Sequence, residues 1–358
     1  VYEGSFRPKE SGAYELLIEG DDGYRVYVNG EKVIDYWGEH ASAKREYTLK
    51  AIAGTDYKIR IEYMQAGAEA LLRFDLGVYR HISPEMVVDR VKEADIVIFA
   101  GGISPSLEGE EMYSVNSPGF AGGDRTSIEL PQVQRDILKA LKKAGKKVVF
   151  VNCSGSAVAL VPEMESCDAI LQAWYPGQAG GLAVADVLFG DFNPSGKLPV
   201  TFYKNTDQLP DFEDYSMKNR TYRYMTEVPL FPFGYGLSYT TFDISKGRLN
   251  KKTISAGQDL NFKVNVKNTG KYDGAEVIQV YVRKVDDAEG PIKSLRAFRR
   301  VPLKAGETCV VSIDLLPTTF EFFDPTTNTM RIMPGKYEIM YGNSSDIPSG
   351  NKLSVTLR

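Results

Sequence analysis

Three carboxylates lie close together in the segment Leu107-Glu108-Gly109-Glu110-Glu111. The segment follows a β-branched run at 95–100, which continues directly into turn-forming residues at 101–105. This pattern is typical of a parallel strand that delivers its loop to a crevice at the edge of a sheet. Carboxylates that crowd together raise one another's pKa, as a general acid working near neutral pH requires. The alternative interpretation is a solvated acidic loop without chemistry.

The chain offers few other catalytic groups. It has two histidines, His40 and His81, and three cysteines in apolar surroundings without CxxC spacing, at Cys153, Cys167 and Cys309. So few histidines and cysteines make a Ser-His-Asp triad or a zinc site improbable. The cysteines are predicted to be buried free thiols rather than parts of a disulfide framework. We therefore expect carboxylate chemistry that requires neither a metal nor an organic cofactor.

Several classes of partner are disfavoured. The net charge is −4 and no basic block is present, so nucleic acid is not an expected ligand. No apolar run approaches the length of a membrane span. The glycine-rich segment 174–181 (WYPGQAGG) lacks the Lys and Ser/Thr of a phosphate loop, which disfavours nucleotide binding and favours an architectural role.

The acidic turn Asp21-Asp22-Gly23 has two interpretations. Paired carboxylates in a turn can ligate calcium or a sugar. The simpler prediction is an Asp-rich turn that closes a hairpin.

The pattern of short runs predicts a multidomain protein of α/β and all-β parts, because 358 residues are too many for one core. Residues 1–82 alternate as short strands, with a two-residue Asn29-Gly30 hairpin, and predict a small β-sandwich. Residues 83–245 alternate strand and helix, which predicts an α/β sandwich with a mostly parallel sheet. Residues 246–358 return to evenly spaced strands, typical of an immunoglobulin-like or fibronectin type III-like sandwich.

Individual elements follow from the same patterns. In the α/β part we predict helices at 84–94, 130–144 and 180–189, a short helix after Ser154, and strands at 96–100, 147–152, 169–174 and 198–202. The aromatic clusters at 222–224 and 231–237 are predicted to pack at the junction with the last sandwich.

Six ordered motifs carry a family resemblance: LEGEEM, GGDRTSIELP, AWYPGQAGG, LFGDFNPSGKLPVTF, TYRY and FPFGYGLSYTTF. Together they resemble the C-terminal part of glycoside hydrolase family 3, of the β-glucosidase and β-xylosidase type. The last sandwich resembles that family's fibronectin type III-like domain, and residues 1–80 resemble a protective-antigen-type domain that some members carry as an insertion.

The resemblance implies a retaining glycosidase acting on terminal non-reducing β-D-glucosyl or β-D-xylosyl residues, with two catalytic carboxylates. Glu110 takes the family's acid/base position and Glu108 is the alternative. In the usual family form the acidic motif lies almost directly before Asp-Arg, whereas here residues 112–123 separate Glu111 from Asp124-Arg125. The choice among Glu108, Glu110 and Glu111 therefore stays open. Asp124-Arg125 is either a helix cap with a surface charge or an ion pair that supports this loop.

The family's nucleophile is an Asp of an N-terminal barrel domain, which the resemblance places outside this chain. The chain is therefore expected to be a C-terminal piece that binds its oligosaccharide substrate together with the missing barrel and is inactive alone. In the first domain, the aromatic residues Tyr36 and Trp37 are expected to contact substrate. We also expect a periplasmic or extracellular location. The competing hypothesis is a non-catalytic carbohydrate-binding or scaffold protein.

Overall fold

The computed structural model describes residues 1–67, 70–78, 82–108, 117–122 and 124–358. The described chain divides into two compact units, Val1–Ser83 and Pro84–Arg358. The predicted boundary near residue 245 lies inside the second unit and stays a prediction.

The first unit is a β-sandwich, as the sequence predicts. Its strands are β1 (Tyr2–Phe6), β2 (Gly12–Asp21), β3 (Tyr24–Val28), β4 (Glu31–Tyr36), β5 (Ala43–Ala51), β6 (Tyr57–Tyr63) and β7 (Leu71–Gly77). They form two antiparallel sheets with the orders β1-β6-β3-β4 and β5-β2-β7. Alternate residues of β2 and β3, among them Leu16, Ile18 and Val26, are fully buried between the sheets because side chains alternate across a strand.

The Asn29-Gly30 hairpin is confirmed. Both residues have left-handed backbones, with φ of 50° and 87°, as the tight turn between β3 and β4 requires. The Asn29 side chain also accepts a hydrogen bond from the Lys58 N–H at 2.8 Å, which ties the turn to the neighbouring strand β6.

The second unit begins with the α/β part. Its elements are α1 (Pro84–Arg90), β8 (Ile96–Gly102), α2 (Pro105–Glu108), β9 (Phe120–Ala121), β10 (Asp124–Arg125), α3 (Gln132–Lys143), β11 (Lys147–Cys153), α4 (Val161–Ser166), β12 (Ala169–Gln172), α5 (Gly180–Phe189) and α6 (Thr221–Tyr224), with a 3₁₀ turn at Thr206–Gln208. The strands β12, β11 and β8 pair in that order and all in parallel. Leu138 and Leu141 of α3 pack with Val148 and Phe150 of β11, and all four are fully buried. The predicted α/β sandwich with a parallel sheet is confirmed.

The strand predicted at 198–202 is wrong. Only an isolated bridge joins Phe202 to Phe231 in this segment. Pro199 and Pro232 interrupt the two paired stretches, and proline has no N–H to donate to a ladder. The segments still associate through scattered hydrogen bonds, such as Leu198 N–H to Tyr235 O at 2.8 Å.

The last part of the second unit is the predicted β-sandwich. Its elements are β13 (Phe242–Leu249), β14 (Thr253–Ile254), β15 (Leu260–Asn268), β16 (Gly274–Lys284), β17 (Ser294–Leu303), β18 (Thr308–Leu315), β19 (Glu321–Asp324), β20 (Thr329–Ile332), β21 (Gly335–Gly342) and β22 (Lys352–Leu357), with a 3₁₀ turn at Pro317–Phe320. The sheets have the orders β13-β15-β18 and β14-β22-β21-β16-β17, beside the β19-β20 pair.

The aromatic clusters join the two parts of the second unit, as predicted. The rings of Tyr222 and Phe233 stack at 4.2 Å, and both approach the fully buried Tyr281 of β16. The Tyr222 hydroxyl accepts a hydrogen bond from the Leu295 N–H at 3.1 Å. These contacts explain why the α/β part and the last sandwich form one compact unit.

Candidate active site

The acidic segment follows β8 at the carboxyl edge of the parallel sheet. The last residue of β8, Gly102, has φ of 125° and lies so close to β11 that an added Cβ would sit 1.9 Å from Cys153 O. Gln134 of α3 accepts from the Gly102 N–H at 2.8 Å and donates to its carbonyl at 2.7 Å. Glycine is therefore required here, and Gln134 satisfies both backbone groups where the chain leaves the sheet.

The short helix α2 presents Glu108. Its first turn is closed by Ser104, whose hydroxyl accepts from the Leu107 N–H at 3.2 Å and whose carbonyl accepts from the Glu108 N–H at 2.9 Å. The Glu108 side chain is half-buried, and its Oε1 is 3.5 Å from the Ser156 hydroxyl, which follows β11. Glu110 and Glu111, the other candidates, lie outside the described residues.

Arg125 lies beside this carboxylate. Its Nη1 donates to the Ser156 hydroxyl at 2.8 Å and its Nε to Ser127 O at 3.2 Å. Burial lowers the pKa of the Arg125 guanidinium, while the charges of Glu108, Glu129 and Asp124 act in the opposite direction. Arg125 is thus half-buried rather than a surface charge, and it contacts the Ser156 hydroxyl that Glu108 also contacts. Its ion pair with the acidic loop stays a prediction. Asp124 accepts from the Arg125 N–H at 2.7 Å, and it caps no helix because α3 begins at Gln132.

Sequence reasoning missed two supporting residues, Tyr175 and Ser156. The Tyr175 hydroxyl donates to Ile103 O at 2.7 Å, and its ring lies against Gly155. Burial and then the charge of Glu108 raise the pKa of Tyr175. Ser156 lies three residues after the end of β11, and Tyr175 lies three residues after the end of β12. The carboxyl ends of parallel strands meet at one edge of a sheet, so these positions in the sequence could have marked both residues as candidates.

A groove opens next to this cluster. Its volume is about 490 Å³, and its walls include Ser156, Trp174, Thr201, Tyr203 and Thr221. The groove lies within the second unit and borders Ser156, the residue that contacts both Glu108 and Arg125.

In the first unit, the carboxylate of Asp22 is committed to the backbone. It accepts hydrogen bonds from the N–H groups of His40 at 3.1 Å, Ala66 at 2.6 Å and Gly67 at 3.4 Å. The bond from Ala66 is the main reason that the pKa of Asp22 is lowered, while burial opposes it. This geometry supports the structural interpretation of the Asp21-Asp22-Gly23 turn.

The two aromatic residues predicted to meet substrate carry arginines on their rings. Arg45 lies 3.8 Å from the ring centroid of Tyr36, which also lies 4.2 Å from the His40 ring. Arg25 lies 4.4 Å from the ring centroid of Trp37, whose side chain remains 44% exposed. Trp37 therefore has more ring surface available than Tyr36, and the role of both stays a prediction.

All three cysteines are free thiols, with Cys167 buried and the other two half-buried. Across the described ranges, no group of three or more His, Cys, Asp or Glu could hold a metal ion. Nor does any helix in the part of the chain that the structure describes have the length and apolarity to cross a membrane.

Comparison with known proteins identifies the family. A model of the glycosyl hydrolase family 3 C-terminal domain matches residues 22–239, more than half of the chain. The chain belongs to glycosyl hydrolase family 3. A fibronectin type III-like domain model matches residues 276–345, which confirms the assignment of the last sandwich.

Two similar proteins illustrate the match. A xylan 1,4-β-xylosidase of Xylanibacter ruminicola is 52% identical over 359 residues, covering 99% of this chain and 41% of the relative. A periplasmic β-glucosidase of Salmonella typhimurium is 38% identical over 280 residues, covering 74% of this chain and 35% of the relative. The chain thus spans about two fifths of the length of these relatives.

A solved structure of a similar protein has the same fold. The β-glucosidase of Kluyveromyces marxianus in complex with glucose superimposes with a TM-score of 0.76 at 28% identity. The match covers 99% of this chain and 44% of that structure.

Proposed function

We propose that this chain supplies the acid/base carboxylate of a retaining β-glycosidase that releases terminal non-reducing β-D-glucosyl or β-D-xylosyl residues. The observation that carries the proposal is the position of Glu108, which follows β8 and lies with Ser156, Arg125 and Tyr175 at the edge of a groove. The similar proteins named as β-xylosidase and β-glucosidase support the reaction class.

We assign the acid/base role to Glu110. Glu108 contacts Ser156 and lies within the electrostatic reach of Arg125. The contact with Ser156 suits Glu108 to an anchoring role. The family motif places Glu110, rather than Glu111, at the acid/base position.

In the proposed mechanism, Glu110 protonates the glycosidic oxygen as a second carboxylate attacks the anomeric carbon. The nucleophile comes from a domain outside these 358 residues, at about 5–5.5 Å from the acid/base as retention requires. Glu110, now ionised, then takes a proton from the water that releases the sugar. These steps use carboxyl groups alone, and the isolated chain has no turnover. Tyr36 and Trp37 contact the substrate, and the enzyme acts in the periplasm or outside the cell.

The test compares Glu110→Ala with Glu108→Ala in the complete polypeptide that carries this chain, using activated aryl β-glucosides and β-xylosides. Glu110→Ala should lower kcat on natural disaccharides by about 100- to 10,000-fold. Azide should restore turnover of the aryl glycosides, because a small anion needs no general base to attack the glycosyl-enzyme.

The exposed residue Glu165 provides the matched control, and Glu165→Ala should behave as the unmodified enzyme. Azide rescue at Glu108 but not at Glu110 would reverse the assignment. Turnover by the 358-residue chain alone would contradict the proposal that the nucleophile lies elsewhere.

A further inference from the structure

We infer that Gln134 is a positioning residue for the acid/base carboxylate, and that it acts by holding the end of β8 from which residues 104–111 depart. The inference rests on the proposed function for the reaction. It gives Gln134 a role in proton transfer to the glycosidic oxygen, in addition to its contribution to the fold.

The two bonds of the Gln134 amide meet at one residue. Its Oε1 accepts from the Gly102 N–H at 2.8 Å, and its Nε2 donates to the Gly102 carbonyl at 2.7 Å. A primary amide supplies an acceptor and a donor on one planar group. Two such bonds fix both the position and the orientation of the Gly102 backbone, whereas one bond would leave it free to turn.

Glycines make room for this contact. A Cβ at Gly101 would lie 2.6 Å from Gln134 Oε1. At Gly102 the φ of 125° is a conformation that side chains rarely adopt. Larger residues at either position would displace the amide or change the bend of the chain, so the end of β8 fits a glutamine of α3 closely.

The next residue is held from two other sides. Ile103 is buried, its N–H donates to Cys153 O at 2.8 Å, and its carbonyl accepts from the Tyr175 hydroxyl at 2.7 Å. Together with the amide of Gln134, these bonds tie two consecutive residues to α3, to β11 and to the segment after β12. The chain therefore leaves the sheet at a point fixed by three neighbouring segments.

The constraint extends to the acidic residues. The Ser104 carbonyl accepts a bond from the Glu108 N–H at 2.9 Å, which closes α2, and the Glu108 carboxylate contacts the Ser156 hydroxyl. A displacement of Gly102 would therefore move α2 as a unit. Glu110 follows two residues after Glu108 in the sequence, so the placement of its carboxyl group depends on the same support.

Gln134 is itself held on a rigid element. It is half-buried on α3, whose Leu138 and Leu141 are fully buried in the core of the α/β part. Side chains on a packed helix are placed more accurately than those on loops. The helix α3 therefore provides a fixed contact for the start of the acidic loop.

This placement matters for proton transfer, because a general acid must lie within hydrogen-bond reach of the leaving oxygen. A shift of about 1 Å in a positioned group can lower a rate by about 100-fold. Such a shift affects only substrates whose leaving group needs a proton. Misplacement of the acid/base therefore differs measurably from a loss of folded enzyme, which lowers activity on every substrate by the same factor.

The test replaces Gln134 with Met in the complete polypeptide that carries this chain, since methionine has a similar length and removes both bonds. For xylobiose and cellobiose, kcat/KM should fall about 10- to 100-fold, whereas for dinitrophenyl β-xyloside and β-glucoside it should change by about threefold or less. Dinitrophenolate leaves without protonation, and kcat/KM reports the step in which the leaving group departs. An equal loss on both kinds of substrate would overturn the inference.

Two variants on the same helix serve as controls. Gln132 is exposed and its side chain bonds within its own helix, so Gln132→Met should retain the activity of the unmodified enzyme on both kinds of substrate. Arg135→Met removes the partner of Glu163 and should lower stability, but it leaves the bonds of Gln134 in place. The ratio of its activities on the two kinds of substrate should therefore be unchanged. A ratio as low as that of Gln134→Met would refute the specific role of Gln134.

A second variant at the site tests the two bonds with little change in size. A protonated carboxyl group accepts and donates as an amide does, whereas a carboxylate can only accept and would face the Gly102 carbonyl. Because burial raises the pKa of a carboxyl group, the disaccharide activity of Gln134→Glu relative to the unmodified enzyme should fall as the pH rises from about 5 to about 8. The relative activity of Gln134→Met should stay constant over this range. A pH-independent relative activity of Gln134→Glu would contradict the paired bonds, and thermal unfolding verifies that each variant is folded.

These results separate the positioning role from the acid/base assignment. If the azide pattern appears at Glu108 rather than Glu110 while Gln134→Met keeps its dependence on the leaving group, only the assignment to Glu110 fails, because both glutamates belong to the same loop. If the azide pattern holds at Glu110 but Gln134→Met lowers all activities equally, only the positioning role fails.

Discussion

The carboxylate of Glu129 accepts two hydrogen bonds from Thr206, one from its N–H at 2.9 Å and one from its hydroxyl at 2.6 Å. The Ser127 hydroxyl donates a further bond to the same carboxylate. These contacts join the segment that contains Arg125 to the segment that contains Thr201 and Tyr203. Burial alone would raise the pKa of Glu129, but the bonds from Ser127 and Thr206 outweigh it and lower the pKa to about 2.

Glu129→Gln should lower the free energy of unfolding at pH 7 by about 1–2 kcal/mol, a value reduced for the partial solvent exposure of the group. The folded pKa of about 2 lies below the unfolded value of about 4.3. The contribution is therefore present above about pH 4.3 and is lost as the pH falls towards 2. Urea unfolding of both proteins at pH 7 and pH 3 measures the difference, which should shrink at the lower pH. The exposed residue Glu165, changed to Gln, should show no such difference.

Gly102→Ala should destabilise the second unit by about 2–4 kcal/mol, because the new Cβ would meet Cys153 O at 1.9 Å in a backbone conformation that disfavours side chains. Gly145 provides the control, since its φ is also positive at 74° but its Cβ would meet no atom within 4 Å. Gly145→Ala should lower the free energy of unfolding by only about 1–2 kcal/mol, the cost of placing a side chain on a left-handed backbone. Chemical denaturation measures both values, and equal losses would contradict the close approach of β8 to β11.

Arg135→Met should be among the most destabilising changes in the second unit. Arg135 Nε lies 3.1 Å from Oε1 of Glu163, whose side chain is 1% exposed. Removing the arginine leaves a buried carboxylate without its counter-charge, at a cost of about 3–5 kcal/mol. Burial raises the pKa of Glu163, so protonation at low pH should reduce the loss. The double variant Arg135→Met with Glu163→Leu should recover stability, and a simple sum of the two single losses would refute the pairing.

Asp22→Asn should destabilise the first unit, because a neutral amide oxygen accepts the three backbone bonds less strongly than a carboxylate does. The pKa of Asp22 is lowered, so its contribution is present above the usual aspartate pKa of about 3.9 and is lost as the pH falls below it. Calcium should not raise the thermal unfolding temperature of the unmodified chain, since this carboxylate already has its partners. Thermal scans with calcium and with a chelator measure this, and a calcium-dependent increase that Asp22→Asn abolishes would contradict the structural role.

Sequence patterns predicted well those elements whose structure depends mainly on interactions between neighbouring residues. The helix α5 has the predicted bounds, and the predicted two-residue hairpin forms at Asn29-Gly30. The strand prediction at 198–202 was wrong. The apolar run resembles a strand, but a strand also needs a continuous partner, and the segment opposite it is interrupted by Pro232. Strand formation requires a partner, and a single run of residues does not describe one.

By itself, the sequence determined the order of β-sandwich, α/β sandwich and β-sandwich, the family, and the acidic loop after β8. These follow from periodicity, turn residues and ordered motifs, all of which are properties of neighbouring residues. Only the tertiary structure placed Ser156, Arg125 and Tyr175 around Glu108 and brought Trp174 to the same groove. Those residues belong to loops whose positions are set by the parallel pairing of β8, β11 and β12. Long-range pairing depends on the packing of the whole core, so no short stretch of sequence specifies it.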